Sequence, residues 1–297
     1  MLYWFKQLIS TGELPMNKKL SVSVCQMKVV RQKDLNLKKA EEMIKKSSQM
    51  GAELVILPEI FNSPYQADLF PYYAEPYPGP TTDFLARAAR KNRVGIVGGS
   101  IPEIERDGQI YNSSFVFDEE GSLIARYRKI HLFDIDIPGK IRFKESQTLA
   151  AGNSISVVDY KSTRLGLIIC YDCRFPELAR AIALEGAELL VIPAAFNLTT
   201  GPAHWELIMR NRAVDNQLYV IAASPARNTE ASYQAWGHSM IIDPWGTVLQ
   251  QASASEEILY AELDLSAVDR VRQHLPLLKQ RRTDLYELNY KPLVEKR

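Results

Sequence analysis

The sequence predicts an α/β protein, a four-layer α-β-β-α sandwich made of two pseudo-symmetric halves. Three observations predict it. Gly51 to Asn62 reads GAELVILPEIFN and Gly186 to Asn197 reads GAELLVIPAAFN, so Gly, Ala, Glu, Leu, Pro, Phe and Asn coincide without a gap. Other segments echo in the same order: LSVSVC ending at Cys25 with LGLIIC ending at Cys170, VGIVGGS ending at Ser100 with LYVIAAS ending at Ser224, and SFVFDEEG ending at Gly121 with SMIIDPWG ending at Gly246. Finally, helical patterns separate apolar runs too short to be helices, which is the signature of strand–helix–strand units.

In order, LSVSVC is a first strand, and Asp34 is placed to cap a helix with Leu37, Ala40, Met43, Ile44 and Ser47 on one face, ended by Gly51. The run after Gly51 is a buried strand stopped by Pro58, and Pro80 to Asn92 is a second helix with Phe84, Leu85, Ala88 and Ala89 inward. A hairpin-like strand pair follows, then LIARYR before Lys129. The second half repeats this plan, with Pro176 in the first turn of one helix and Pro202 opening another. No Gly/Pro/Ser linker divides the halves, so residues 17–297 read as one domain. The apolar start MLYWFKQLISTGELP, interrupted by Lys6 and Gln7, reads as a loose extension over residues 1–16.

Thirty-six basic against 35 acidic residues give a net charge of +1, so no global field points to nucleic acid or a membrane surface. The basic tail (Lys279, Arg281, Arg282, Lys291, Lys296, Arg297) reads as a solvated face. No apolar run approaches the roughly 18 residues that a membrane span needs. Three cysteines make no disulfide framework, and C-Y-D-C at Cys170 to Cys173 has no second pair to complete a zinc site. The expected setting is reducing and cytoplasmic, with a mitochondrial pool left open.

Chemistry gathers where strands end. Cys170 follows LGLII at an elbow into the Pro176 helix, where free N–H groups and a nearby cation favour a thiolate. Glu59 holds the matching place in the first half, where its counterpart is Ala194. Lys129 follows the strand LIARYR, and an ammonium beside a thiol supplies charge where an amide oxygen becomes negative. Each residue alone also has an ordinary reading: a small buried hydrophobe, a satisfied turn carboxylate, an exposed lysine. Arg174, just past the nucleophile, can grip a carboxylate bidentately or form a surface salt bridge. His131 shares the Lys129 face but reads as a hydrogen-bonding histidine rather than a papain-like base.

Glu59 in LPE, Lys129 in YRKIHLFD and Cys170 in CYDCRFPE together resemble the Glu–Lys–Cys triad of the nitrilase (carbon–nitrogen hydrolase) superfamily, from about Leu20 to Tyr290. Glu145, in FKES, is similar to the additional active-site glutamate of that superfamily. FNSPY, YRKIHLFDID, AFNLTTGPAHWEL, RAVDNQ and AWGHS resemble its omega-amidase branch. The resemblance implies hydrolysis of the terminal amide of 2-oxoglutaramate or 2-oxosuccinamate through a Cys170 thioester, with no cofactor and no metal. It implies that Arg174, the backbone around Phe196 and the Thr200 hydroxyl hold the substrate carboxylate, with a Tyr171 N–H at the oxyanion. Tyr65 either lines the pocket or packs. It also implies a homodimer, or a dimer-based oligomer, paired through the helices near Pro176 and Pro202. Cys173 and the AAG at Ala150 to Gly152 depart from the usual pattern without touching the triad. Other nitrilase-type amidases, carbamoylases or nitrilases, and a catalytically silent binding protein, stay open at this point.

Overall fold

The computed structural model describes residues 18–290. The extension over 1–16 and the last part of the basic tail lie outside them. The first half runs through β1 (Lys19–Gln26), α1 (Lys33–Gln49), β2 (Leu54–Ile56), α2 (Phe70–Tyr73), α3 (Pro80–Asn92), β3 (Gly95–Val97), β4 (Ile101–Ile104), β5 (Ile110–Phe117) and β6 (Leu123–Arg128). A hairpin of β7 (Asp134–Ile137) and β8 (Ile141–Lys144) leads into the second half. There follow β9 (Ser156–Tyr160), β10 (Thr163–Leu167), α4 (Pro176–Leu184), β11 (Leu189–Pro193), α5 (Gly201–Asn216), β12 (Tyr219–Ala223), β13 (Met240–Ile242), β14 (Val248–Gln251), β15 (Glu257–Asp264) and α6 (Ser266–His274).

The strands form two large sheets, ordered β15-β1-β2-β3-β5-β4 (with β6 also on β5) and β14-β13-β12-β11-β10-β9. Side-chain alternation dictates how they stack. Leu20, Val22 and Val24 of β1 and Leu54 and Ile56 of β2 join a core shared with the second sheet. Their neighbours Cys25, Val55 and Leu57 point the other way, onto Ala40, Met43 and Ile44 of α1 and Leu85, Ala88 and Ala89 of α3. Burying each aliphatic side chain contributes about 1.5–3 kcal/mol, so a one-residue slip in either strand would turn its whole inward set outward. On the far side, Leu178 and Ile182 of α4 and Trp205 and Met209 of α5 cover the second sheet. The predicted α-β-β-α layering is thus observed.

The duplication is visible in the ladders. β1, β2 and β3 run parallel and β5 antiparallel to β3; β10, β11 and β12 run parallel and β13 antiparallel to β12. Three of the four sequence echoes stand in register, but the match of Cys25 with Cys170 does not. Val22 pairs with Leu54, whereas Leu165 pairs with the equivalent Leu189, so the structural counterpart of Cys170 is Met27. Two apolar strands slide over one another by two residues without changing their inward faces, which is why sequence alone misplaces them.

Local expectations hold with one shift. α3 spans Pro80–Asn92, and α4 begins at Pro176. α1 begins at Lys33 with Gln32 before it, so Asp34 is not the cap and lies in the first turn, where its charge suits the free N–H groups. Among the described residues no helix is long and apolar enough to cross a membrane, and no cluster of His, Cys, Asp or Glu could hold a metal ion.

Candidate active site

Four strand ends deliver the predicted groups to one place. Glu59 follows β2, Lys129 follows β6, Glu145 follows β8 and Cys170 follows β10. Lys129 is almost wholly buried, its Nζ 2.8 Å from Glu59 Oε1 and 2.9 Å from Glu145 Oε1. The Tyr65 hydroxyl donates to Glu145 at 2.8 Å, so Tyr65 is a polar part of the site and not simple packing. Asn112 Nδ2 donates to Glu59 Oε1 at 2.9 Å, and the Phe133 N–H donates to Glu145 Oε2 at 2.7 Å. Glu59 Oε2 is buried without such a partner, and the Cys170 thiol is among the groups acting on this carboxylate.

Cys170 opens a short 3-10 turn, Cys170–Arg174, and carries a left-handed φ of 45°. A residue with a Cβ is strained there, so the elbow is held by its surroundings. The Ala195 N–H lies 3.5 Å from Cys170 Sγ.

The electrostatics follow from burial. Burial opposes the charge on Lys129, but Glu145 and Glu59 outweigh it and hold the ammonium well above its usual range. Burial pushes the Cys170 thiol well up, and the neighbouring Glu59 charge adds to this, against the smaller pull of Lys129 and the Ala195 N–H. Burial thus outweighs the cation and the N–H groups that favour a thiolate at this elbow, and leaves a proton for Glu59 to take. Burial also raises Glu59, Lys129 opposes, and Glu145 raises it further. The resting arrangement is a charged lysine, a neutral thiol and a carboxylate whose proton affinity exceeds the ordinary.

Arg174, Tyr171 and Phe196 form a second group. The guanidinium carbon sits 4.7 Å from the Phe196 ring centroid and 5.9 Å from that of Tyr171, and Nη1 donates to His204 Nδ1 at 3.2 Å. Among the described residues no carboxylate pairs with Arg174. The buried Thr200 hydroxyl donates to Asn197 Oδ1 at 3.3 Å. A cavity of about 400 Å³ reaches Glu59 past Tyr65, Ala195 and Tyr233 and extends toward Arg31 and Glu230. Arg174, Phe196 and Thr200 are not among the residues lining this cavity.

Sequence reasoning missed Asn112, Tyr233 and Asp172. Asn112 is a fully buried polar residue within β5, and a polar residue at an inward position is the signal that could have found it. The Tyr233 hydroxyl donates to the Ala195 carbonyl, and its ring lies 4.6 Å from that of Tyr65. Asp172, fully buried, binds His131 and Tyr127 across the elbow, so His131 is engaged away from the thiol.

The carbon–nitrogen hydrolase family pattern matches residues 21–273. The chain belongs to the carbon–nitrogen hydrolase family. Its relatives include omega-amidase NIT2 of Danio rerio, 52% identical over 91% of this chain and 98% of that protein, and omega-amidase NIT2 of Homo sapiens, 51% identical with the same coverage. Among solved structures, Saccharomyces cerevisiae Nit3, a member of branch 10 of the nitrilase superfamily, matches with a TM-score of 0.83 and 43% identity, covering 89% of this chain and 97% of that one. This carbon–nitrogen hydrolase therefore shares both the layered fold and nearly its whole length with nitrilase-superfamily proteins.

Proposed function

We propose that the chain is an omega-amidase, hydrolysing the terminal amide of a small 2-oxo acid amide such as 2-oxoglutaramate or 2-oxosuccinamate to the 2-oxo dicarboxylate and ammonia. The observation that carries the reaction is the buried ammonium of Lys129 held between Glu59 and Glu145 beside the Cys170 thiol. Because the thiol is neutral at rest, attack needs a base. Glu59 takes the thiol proton as sulfur bonds to the amide carbon, and Lys129 with the Tyr171 N–H meets the oxygen as it becomes negative. Glu59 returns the proton to the departing nitrogen, and ammonia leaves a Cys170 thioester. Glu59 then takes a proton from water, whose oxygen attacks the thioester carbon, and the sulfur leaves and is reprotonated. Glu145 keeps Lys129 charged, and Tyr65 holds Glu145.

Substrate choice rests on Arg174, a cation stacked on Phe196 with no acid partner among the described residues. Phe196 adjoins Ala195, whose N–H touches Cys170, so a short chain of contacts links nucleophile and guanidinium. The relatives' omega-amidase activity supports the same substrate class. We infer that the protein acts as a homodimer or a dimer-based oligomer. α5 is apolar on two faces: Trp205 and Met209 are buried, while Leu207 is 69% and Val214 40% exposed. A second copy of this surface would cover them, and a fully active monomer by sedimentation at micromolar concentration would contradict the pairing.

Ammonia release from 2-oxoglutaramate, set against neutral amides, tests the function. Activity should be highest on the carboxylated amide and vanish in Cys170→Ala with the fold intact. Equal rates on neutral amides would remove the omega-amidase reading, and a Cys170→Ala protein retaining a substantial part of its turnover would remove the covalent one.

A further inference from the structure

We propose that Asp172 is a positioning residue that fixes Lys129 relative to Cys170. Its carboxylate is fully buried and accepts four hydrogen bonds from two separate stretches of chain. Oδ2 takes the Tyr127 hydroxyl at 2.7 Å and the Ile169 N–H at 3.0 Å. Oδ1 takes the His131 N–H at 2.9 Å and His131 Nδ1 at 2.8 Å. Tyr127 and His131 stand two residues either side of Lys129, and Ile169 immediately precedes Cys170. One carboxylate thereby ties the segment carrying the ammonium to the elbow carrying the thiol.

The chemistry requires such a tie. Cys170 holds a left-handed φ of 45° that its own side chain disfavours, and the bond to Ile169 N–H restrains the turn at that point. Lys129 reaches the site from a different sheet, so its distance from the thiol depends on contacts between the layers. His131 is fixed further by stacking on Phe175, with ring centroids 3.6 Å apart and planes within 8°. The donors around Asp172 are directional, and they saturate both of its oxygens.

This inference rests on Cys170 as nucleophile and goes beyond it in assigning how the ammonium is placed. Asp172→Asn tests it, because an amide nitrogen must then face either the Ile169 N–H or the two His131 donors. A misplacement of about 1 Å can cost about a hundred-fold in rate, so kcat should fall by that order while KM stays within about twofold. The second readout is the pH profile of Cys170 alkylation by iodoacetamide, located by mass spectrometry. The titratable and charged groups acting on the thiol are Glu59, Lys129, Cys173, Tyr65 and Tyr233, together with the Ala195 N–H, and of these side chains Lys129 favours the thiolate. Displacing Lys129 should therefore move the profile to higher pH. His131→Phe keeps the stack but removes the donor and should move both readouts the same way, and His131→Asn, whose amide nitrogen can reach Oδ1, should recover most of that loss.

A purely structural role would lower Tm and leave the folded enzyme's kcat and alkylation profile unchanged, which would overturn the proposal. If Asp172→Asn fails to fold, His131→Phe and Tyr127→Phe decide in its place, and unchanged values in both overturn it. The alkylation readout needs no substrate. A wild type inactive on omega-amides with a shifted variant profile would sink the substrate reading alone. A Cys170 that resists alkylation altogether would overturn the nucleophile on which both rest.

Discussion

Replacing Lys129 with Met removes the buried ammonium between Glu59 and Glu145 while keeping a long side chain of similar volume. Glu145 would retain the Tyr65 hydroxyl and the Phe133 N–H, and Glu59 would retain Asn112, with its Oε2 already lacking a donor. Removing one partner of a buried ion pair costs about 3–5 kcal/mol, and uptake of a proton by a carboxylate limits the loss, so about 3 kcal/mol is expected at neutral pH. For a chain of this size each kcal/mol moves Tm by roughly 2–4 °C, giving a fall of about 6–12 °C. The pH dependence has a definite sign. The folded pKa of Lys129 is raised, so its stabilisation is fully present below its unfolded value near 10.5 and is lost only as pH climbs through the folded one. In the variant, Glu59 is raised further from 4.5, so the penalty is small at acid pH and grows as pH rises through its folded value. Thermal denaturation of both proteins at about pH 5 and about pH 8 should show the wider gap at the higher pH. Adding Glu145→Gln should restore part of the stability and none of the activity. A Tm at about pH 8 within about 2 °C of wild type, or a gap that widens toward acid, would refute the buried-triad electrostatics.

Arg174→Ala should lower kcat/KM for 2-oxoglutaramate about ten- to hundred-fold, the worth of a charge-assisted bond of about 1.5–3 kcal/mol, and leave neutral amides nearly unchanged. Arg174→Lys should recover only part of the loss, because an ammonium lacks the planar fork; equal losses on charged and neutral amides would make Arg174 a support for the elbow. Cys173→Ala should stay active, since Cys173 is buried, burial pushes its thiol up to about 12, and all three cysteines are free; a Cys170–Cys173 bridge that controls activity would contradict this. The acid limb of kcat/KM should lie above the ordinary carboxylate range because the base must be ionised and Glu59 is raised by burial and by Glu145. Glu145→Gln should shift that limb downward, and an upward shift would mean that another group governs it.

Local composition places Glu59, Lys129 and Cys170 after strands but leaves each with an ordinary reading; the triad was legible because LPE, YRKIHLFD and CYDCRFPE together, in that order, resemble the carbon–nitrogen hydrolase pattern. What was not legible depends on contacts between distant parts of the chain. Asn112 meets Glu59 across 53 residues of sequence, and Asp172 meets Tyr127 across 45. No window around either residue contains its partner. β15 lies along the full length of β1 to complete the first sheet with chain that follows the second half, a pairing no local pattern announces. The β7–β8 hairpin alternates between exposed and half-buried residues and so lacks the apolar face by which the core strands declare themselves. The balance of influences on the Cys170 thiol was hidden for a related reason. A cation and a turn can be read from sequence, but the depth at which the thiol is buried cannot, and burial is the largest influence on it.

The corrected register gives the duplication a chemical meaning. Glu59 and Ala194 are equivalent, as are Met27 and Cys170, so each half supplies one reactive group and an unreactive residue at the other's position. Had both halves kept a carboxylate, a second charge would have entered the buried space near the thiol and raised its proton affinity further. Ala194 and Met27 are instead fully buried and carry no charge. Each half on its own offers a base without a nucleophile or a nucleophile without a base. The ammonium between them comes from the edge strand β6 of the first sheet, and β7–β8 brings Glu145 to it. The reaction therefore depends on the stacking of the two sheets and not on either half alone. A substitution between the layers, such as Ile56→Ala at the foot of the Glu59 loop, should disturb the alignment of base and thiol as well as stability. Its expected cost is about 2–5 kcal/mol, with kcat measured on the folded protein falling at unchanged KM. Loss of stability with kcat intact would mean that the reactive groups are held by their loops alone.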